Sequence, residues 1–171
     1  VFVQEYSKGA PLYPVKVVGE SSDTGTIITF KPDGEIFTAS TTYNYDILAT
    51  RLRELAYLNK GIKLTIKDIR DEATELNENG EVVSTEKYEV FHSEKGLMEF
   101  VSYLDGTREK LTENPIYLET DKTGIPIEIA MQYNTGFSEN IHSYVNNINT
   151  IEGGTHLSGF RRGLTSTLKS F

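Results

Sequence analysis

The sequence contains no cysteine. Without cysteine the chain forms no disulfide, offers no thiolate nucleophile and builds no cysteine-ligated zinc site. It also lacks an apolar run of the roughly 18 residues that a membrane-spanning helix needs. No basic segment followed by an apolar one opens the chain, so no secretion signal is visible. We therefore expect a cytoplasmic protein with no membrane partner.

The chain has fewer basic than acidic residues. It contains 17 Lys and Arg against 25 Asp and Glu, which gives a net charge of −8. Residues 68–94 account for most of this, because they hold nine acids and two bases. Residues 141–171 reverse the balance with three bases and one acid. Phosphate contacts need clustered Lys and Arg. The net negative charge therefore excludes DNA binding that depends on the overall charge of the chain. Any contact with an anion is expected at the carboxyl end.

The composition supports a folded chain of limited size. Apolar residues make up 37% of 171 residues, which is too many for a disordered segment and suits one domain or two incomplete ones. The chain begins at Val1 rather than at methionine, and inside a predicted strand. We take this as a first indication of a fragment.

Short β-rich stretches bounded by turn residues are interleaved with helical periodicity. Strands are predicted at residues 1–6, 15–18, 26–30, 62–69, 82–91, 116–119, 125–133 and 141–148. Helices are predicted at residues 44–59, 96–104 and 155–168. Residues 77–80 and 121–124 have the composition of hairpin turns. This mixture of hairpins and helices favours an α+β fold.

The first helix has the clearest signals. Its apolar side chains recur at helical spacing, at Tyr45, Leu48, Leu52 and Leu55. Asn44 is suited to the N-cap, and Gly61 to the position just after the last turn.

Motifs that carry chemistry are few. His92, His142 and His156 have no metal-ligand spacing, and no Gly-x-Ser-x-Gly elbow occurs. The glycines at 153 and 154 precede a helix and offer N–H groups to an anion, but the Walker pattern is absent. A tight turn capped by Thr155 is the simpler interpretation. The residues alone therefore indicate an α+β fragment without a defined activity.

Three longer segments together resemble the DNA gyrase B family. They are residues 41–61, residues 133–149, and the run Glu-Gly-Gly-Thr-His-Leu-Ser-Gly-Phe-Arg at 152–161. They occur in the order and at the spacing of that family. The resemblance implies a partial GHKL ATPase α/β sandwich at residues 1–93. It implies the first part of a split β-α-β transducer domain at residues 94–171.

The resemblance assigns roles to three residues. Thr26 matches the threonine that lines the adenine pocket, where a hydroxyl both donates and accepts hydrogen bonds. Ile28 lies two residues further on the same predicted strand and would pack beside the base. Arg161 matches an arginine that faces the cavity through which DNA passes, where a guanidinium contacts phosphate without reading sequence.

The resemblance also implies what these residues lack. The catalytic glutamate, the magnesium-binding asparagine and the glycine-rich lid precede this segment in the family. We therefore expect no catalytic residue and no metal ligand here, and no ATP hydrolysis by the segment alone. ATP and Mg²⁺ are the expected cofactors of the intact protein.

In the intact protein the resemblance implies negative supercoiling driven by ATP. Its expected partners are gyrase A, a second copy of gyrase B and double-stranded DNA. Three alternatives stay open: the corresponding ATPase subunit of topoisomerase IV, a module of another GHKL ATPase such as a mismatch-repair protein, and a structural protein without a ligand. Truncation also predicts partly uncovered apolar surface on the strands and at Leu48, Leu52 and Leu55.

Overall fold

The computed structural model describes residues 1–70, 74–76, 82–84, 87–122 and 124–171. Helices and short antiparallel strand pairs alternate along this part of the chain, which confirms the α+β prediction. The helices are α1 (Tyr45–Leu58), α2 (Leu97–Asp105) and α3 (Thr155–Ser170). The chain divides into two compact units, Val1–Asn44 and Tyr45–Phe171, which are described separately.

The first unit contains two small strand pairs. Strand β1 (Phe2–Val3) pairs with β4 (Lys16–Val17), and β2 (Tyr6–Ser7) pairs with β3 (Ala10–Pro11). The strand predicted at 1–6 is therefore divided into two pieces. Lys8 and Gly9 both have positive φ, 48° and 82°, between β2 and β3. This conformation suits a tight hairpin.

The strand predicted at residues 26–30 is wrong, because the structure assigns no strand there. A strand requires a hydrogen-bonded neighbour, and no described residue pairs with this segment. Apolar residues in the segment are exposed, including Ile28 at 79%. Phe30 makes an edge-on contact with Tyr43, with ring centroids 6.2 Å apart. Residues 26–30 therefore have β-rich composition without a sheet to join.

The core of the second unit lies between α1 and an antiparallel pair, β5 (Lys63–Asp68) and β8 (Lys87–His92). Its buried members are Tyr45, Ala49, Ala56 and Phe91, with Leu52, Leu64 and Ile66 packed against them. The predicted helix is confirmed, but its buried stripe includes alanines that the apolar spacing did not select. Small side chains there allow the helix to approach the strands closely.

The uncovered apolar surface predicted on α1 is present in part. Leu48 is exposed, whereas Leu52 and Leu55 are half-buried.

After the helix, Gly61 has φ of 85° and donates its N–H to the Ser93 carbonyl over 2.7 Å. The predicted helix stop at Gly61 is therefore confirmed.

The return strand predicted at 82–91 is two strands. Strand β6 (Thr74–Leu76) pairs antiparallel with β7 (Val82–Ser84), and β8 follows as a separate strand. The turn predicted at residues 77–80 lies outside the described residues. Strands β9 (Ile116–Thr120) and β10 (Ile127–Met131) form the second predicted hairpin. Of its turn, Thr123 is also outside the described residues.

The strand predicted at 141–148 is wrong. The chain instead forms a hairpin of β11 (Tyr144–Val145) and β12 (Ile148–Asn149). The turn residues Asn146 and Asn147 have φ of 49° and 64°. Asparagine tolerates the left-handed region better than most residues, so this dipeptide reverses the chain where a continuous strand was expected.

An ion pair between two residues that are close in sequence lies at the end of β5. The Arg70 Nε donates to Asp68 Oδ1 over 2.8 Å, and the Arg70 backbone N–H donates to the same oxygen over 3.1 Å. These hydrogen bonds lower the pKa of Asp68 to about 2. The folded state therefore favours the ionised carboxylate more than the unfolded chain does, where the pKa is about 3.9.

We predict an acid-side stability loss that depends on Asp68. A lowered folded pKa contributes stability that is fully present above the unfolded pKa and is lost as pH falls through about 2. Thermal unfolding between pH 5 and pH 2 measures it. Asp68→Asn is expected to flatten that pH dependence. Equal pH dependence in Asp68→Asn and the parent chain would contradict the assignment.

Candidate functional site

An open groove of about 450 Å³ lies at the beginning of α3. One wall is the segment around the β11–β12 hairpin, including Ser143 and Thr150. The floor is the Glu152–Gly154 turn, and the far wall is the first part of α3 as far as Arg161. Residues on both sides of the hairpin and at the beginning of α3, which carry part of the family resemblance, therefore line the same groove.

Glycines shape the entry to the helix. Gly153 has φ of 76°, which favours glycine, and it donates its N–H to the Thr150 carbonyl over 2.8 Å. Gly154 occupies the N-cap position, so the prediction of Thr155 as the cap is wrong. A Cβ on Gly154 would lie 2.8 Å from the His156 ring. A larger residue at position 154 would therefore require the His156 ring to move.

Hydroxyl contacts fix the hairpin wall. The Thr150 N–H and its hydroxyl both donate to the Ser143 carbonyl, over 2.8 and 2.9 Å. The two hydroxyl oxygens lie 2.6 Å apart, and Thr150 Oγ1 is 3.3 Å from His156 Nε2. These contacts hold Thr150 against Ser143 and beside the first turn of α3.

Arg161 lies at the edge of the groove, two turns into α3. Its Nη2 donates to Glu139 Oε2 over 2.8 Å, and the two side chains are 53% and 73% exposed. An exposed pair of this kind contributes only about 0–1 kcal/mol. The guanidinium can therefore exchange the Glu139 carboxylate for another anion, such as a phosphate oxygen, at little cost.

The other two predicted site residues lie in the first unit. Thr26 and Ile28 are both exposed. Since residues 26–30 form no strand, strand periodicity does not place these side chains on one face. Their assignment to an adenine pocket stays a prediction.

The histidines have ordinary polar contacts. His92 Nδ1 is 2.9 Å from the Ile62 carbonyl oxygen, and His142 Nε2 is 3.1 Å from Asn140 Oδ1. Among the described residues, no group of three or more His, Cys, Asp or Glu is arranged to hold a metal ion.

No helix in the described part of the chain is both long enough and apolar enough to cross a membrane.

Sequence reasoning missed how the hairpin meets α1. Asn147 contacts both Arg51 and Asn59 on the helix and its end. The pair of adjacent asparagines at 146 and 147 was the available signal, because Asn is common in turns with positive φ. Tyr144 on the same hairpin is half-buried, and burial raises the pKa of its hydroxyl.

Comparisons with known proteins agree with this architecture. A family model described as DNA gyrase B matches residues 96–171. The DNA gyrase B protein of Cytophaga hutchinsonii is 57% identical over all 171 residues, which cover 34% of that relative. The DNA gyrase B protein of Staphylococcus aureus is 46% identical over the whole chain, which covers 25% of it. The chain thus spans about a third or less of these relatives.

Solved structures show the same fold. The 43K ATPase domain of Thermus thermophilus gyrase B, crystallised in complex with an aminocoumarin, superposes with a TM-score of 0.80 at 31% identity. The alignment covers 99% of this chain and 43% of that one. The gyrase B protein of Myxococcus xanthus gives a TM-score of 0.78 over 99% of this chain and 46% of that one. At 19% identity it supports the fold alone.

The class that these observations define is the fold of the gyrase B ATPase-domain structures. Within that class, the chain is similar along its whole length to DNA gyrase B proteins, and its residues 96–171 match the DNA gyrase B family model. The predicted resemblance and fold are confirmed. The comparisons do not favour the alternatives of a topoisomerase IV or another GHKL protein.

Proposed function

We propose that this chain acts within an ATP-dependent type II DNA topoisomerase of the gyrase type. The whole protein couples ATP binding and hydrolysis to DNA strand passage and negative supercoiling. The observation that carries this proposal is 57% identity to a DNA gyrase B protein over the entire chain. The segment alone is proposed to transmit motion and not to hydrolyse ATP, since it lacks the family's catalytic motifs.

The proposed domain division is residues 1–93 for the end of the GHKL domain and 94–171 for the start of the transducer. The family model begins at residue 96, which supports a boundary near this point. The two compact units are divided between residues 44 and 45 instead. The proposed domain boundary therefore does not coincide with the division into compact units.

ATP and Mg²⁺ are proposed as cofactors of the whole protein. The side chains of Thr26 and Ile28 are accessible, which fits one wall of an adenine site. The Thr26 hydroxyl would hydrogen-bond the base edge, and Ile28 would cover part of its face. The phosphates and the Mg²⁺ ion would be held by residues outside this segment.

DNA is proposed to meet the carboxyl end of the segment. Arg161 lies beside an open groove in the part of the chain where bases outnumber acids. Its ionic partner Glu139 is itself exposed and readily displaced. The other proposed partners are gyrase A and a second copy of gyrase B, with no membrane partner and a cytoplasmic location.

A plasmid-topology assay tests the activity. The full-length protein containing these residues, mixed with gyrase A, is expected to introduce negative supercoils into relaxed plasmid only when ATP is present. ATP-dependent decatenation without negative supercoiling would instead favour a topoisomerase IV. No ATP-dependent change in topology would contradict the proposal.

Arg161→Ala is expected to weaken DNA binding by the full-length protein. Loss of one phosphate contact makes the negative slope of log K against log salt concentration shallower by about 0.9. Fluorescence anisotropy over a salt series measures it. Arg162→Ala is the matched control, and Glu139→Gln is expected to strengthen binding because it frees the Arg161 guanidinium. Equal slopes for Arg161→Ala and Arg162→Ala would refute the phosphate contact.

A further inference from the structure

Asp105 is a buried acid at the carboxyl end of a helix. It is the last residue of α2 and is 7% exposed. The carboxyl end of a helix carries partial negative charge, so cations are favoured there and anions are not. The last turn of α2 contains no basic residue. The Asp105 carboxylate therefore adds negative charge where the helix is already negative.

The two carboxylate oxygens of Asp105 have different surroundings. The Asn134 side-chain amide donates to Oδ1. Arg108 Nη1 lies 3.9 Å from the same oxygen, beyond hydrogen-bond distance, and its side chain is 46% exposed. Oδ2 is buried and has no hydrogen-bond partner in the part of the chain that the structure describes. Because a buried carboxylate oxygen without a partner is unfavourable, Oδ2 is expected to contact a group from outside the chain.

A second buried acceptor oxygen belongs to Gln132. Its Oε1 also has no hydrogen-bond partner among the described residues. The Nε2 of the same amide donates to the carbonyl and to the hydroxyl oxygen of Thr112, both over 2.9 Å. These two hydrogen bonds use the donor side of the amide and leave its oxygen free to accept.

The pairing of two segments brings the two acceptors to one face. Lys110 and Asn134 form an antiparallel bridge. Alternate residues of a paired segment leave from the same face, so Gln132 and Asn134 share one. Asn134 holds Asp105 at that face. Both oxygens therefore lie beside the loop at residues 106–112.

The chemistry of the two oxygens favours a hard cation. Carboxylate and amide oxygens are the ligands of alkali and alkaline-earth ions and suit zinc or copper less well. The pair supplies one negative charge, and the Arg108 guanidinium adds a positive charge nearby. This balance favours an ion with a single positive charge over a divalent ion.

We propose that Asp105 Oδ2 and Gln132 Oε1 bind an alkali-metal cation, K⁺ or Na⁺, at the carboxyl end of α2. The ion neutralises the buried carboxylate and the negative helix end, and it stabilises the loop at residues 106–112. This differs from the expectation of no metal ligand, because the two ligands are far apart in sequence and only one is acidic. The site does not depend on nucleotide or DNA binding, so its failure would leave the proposed function unaffected.

Hydrogen exchange in the full-length protein tests the proposal. Exchange is compared in KCl, NaCl and tetramethylammonium chloride at equal ionic strength, without nucleotide and with a chelator that removes divalent ions. Tetramethylammonium has the same charge but is too large to be coordinated by two buried oxygens. Amides of residues 106–112 are expected to exchange several-fold slower in KCl or NaCl. Amides of α3 are expected to exchange equally in the three salts.

Asp105→Asn removes the charge and keeps the shape of the side chain, and it is expected to abolish the salt effect. Glu113→Gln is the matched control, because it removes a carboxylate at an exposed position close by in sequence, and it should keep the effect. Arg108→Ala removes the competing positive charge and is expected to lower the half-saturating salt concentration several-fold. This last variant decides the outcome if Asp105→Asn fails to fold.

Crystals soaked in thallium nitrate locate the ion, since Tl⁺ replaces K⁺ and scatters anomalously. An anomalous peak is expected within coordination distance of Asp105 Oδ2 and Gln132 Oε1, and a map without that peak would overturn the proposal. Equal exchange rates in all three salts would do the same, because water would then be the partner of Asp105. So would a salt effect that persists in Asp105→Asn, or an unchanged half-saturating concentration in Arg108→Ala.

Discussion

Phe100→Ala is expected to lower the free energy of unfolding by about 3–5 kcal/mol, the range for removing a buried aromatic side chain. Phe100 is 4% exposed on α2. Its ring stacks on Tyr57 of α1, with centroids 5.1 Å apart and an interplanar angle of 14°. The Tyr144 and His142 rings lie at 6.2 Å. One side chain therefore supports contacts to α1 and to the hairpin region at once.

Urea unfolding followed by circular dichroism measures this loss. Phe137→Ala is the matched control, because Phe137 is fully exposed and its removal should change stability by less than about 0.5 kcal/mol. Domain stability is commonly only about 5–15 kcal/mol, so Phe100→Ala is expected to remove a substantial part of it. A loss below that of Phe137→Ala would show that the aromatic cluster contributes little.

Gly96→Ala is expected to have the second largest effect, for two separate reasons. Gly96 has φ of 57° and ψ of −122°, a conformation that costs a residue with a Cβ about 1–3 kcal/mol. An added Cβ would also lie 3.2 Å from Lys60 Cβ and 3.3 Å from the Tyr57 carbonyl oxygen. The carbonyl belongs to the α1 backbone, which cannot move aside as freely as a side chain.

Gly106→Ala separates the two costs. Gly106 lies at the other end of α2 with nearly the same backbone conformation, φ 60° and ψ −123°, and nothing lies within 4 Å of its added Cβ. It should show the conformational cost alone. Urea midpoints compared between the two variants give the contribution of the α1 contact. A larger loss in Gly106→Ala than in Gly96→Ala would contradict this account of the junction.

Local patterns predicted the helices well because their signals are close in sequence. The spacing of apolar residues and the flanking Asn44 and Gly61 located α1, which the structure confirms at Tyr45–Leu58. Apolar periodicity did not identify Ala49 and Ala56 as core residues. Their burial follows from the fit of the helix against β5 and β8, and single-helix periodicity does not contain that information.

Strands were predicted less reliably, for a physical reason. A strand exists through hydrogen bonds to a neighbour, which the strand's own sequence does not show. The segment at 26–30 has β-rich composition but no partner among the described residues, and it forms no strand. The segment at 141–148 reads as one strand, but positive φ at Asn146 and Asn147 makes it a hairpin.

The candidate site was predictable only through family resemblance. Two adjacent arginines on a helix give no reason to choose Arg161, whereas the resemblance selected it and the structure places it at the groove. The contact between Arg51 and Asn147 was beyond both approaches. Arg51 and Asn147 are 96 residues apart, and neither residue type nor spacing indicates that they meet.

The plasmid-topology assay decides whether this chain acts in a gyrase-type enzyme. We expect the full-length protein, together with gyrase A, to convert relaxed plasmid to negatively supercoiled plasmid when ATP is added, and not to do so without ATP. Relaxation or decatenation with no negative supercoiling, at any ATP concentration, would contradict the assignment of gyrase activity.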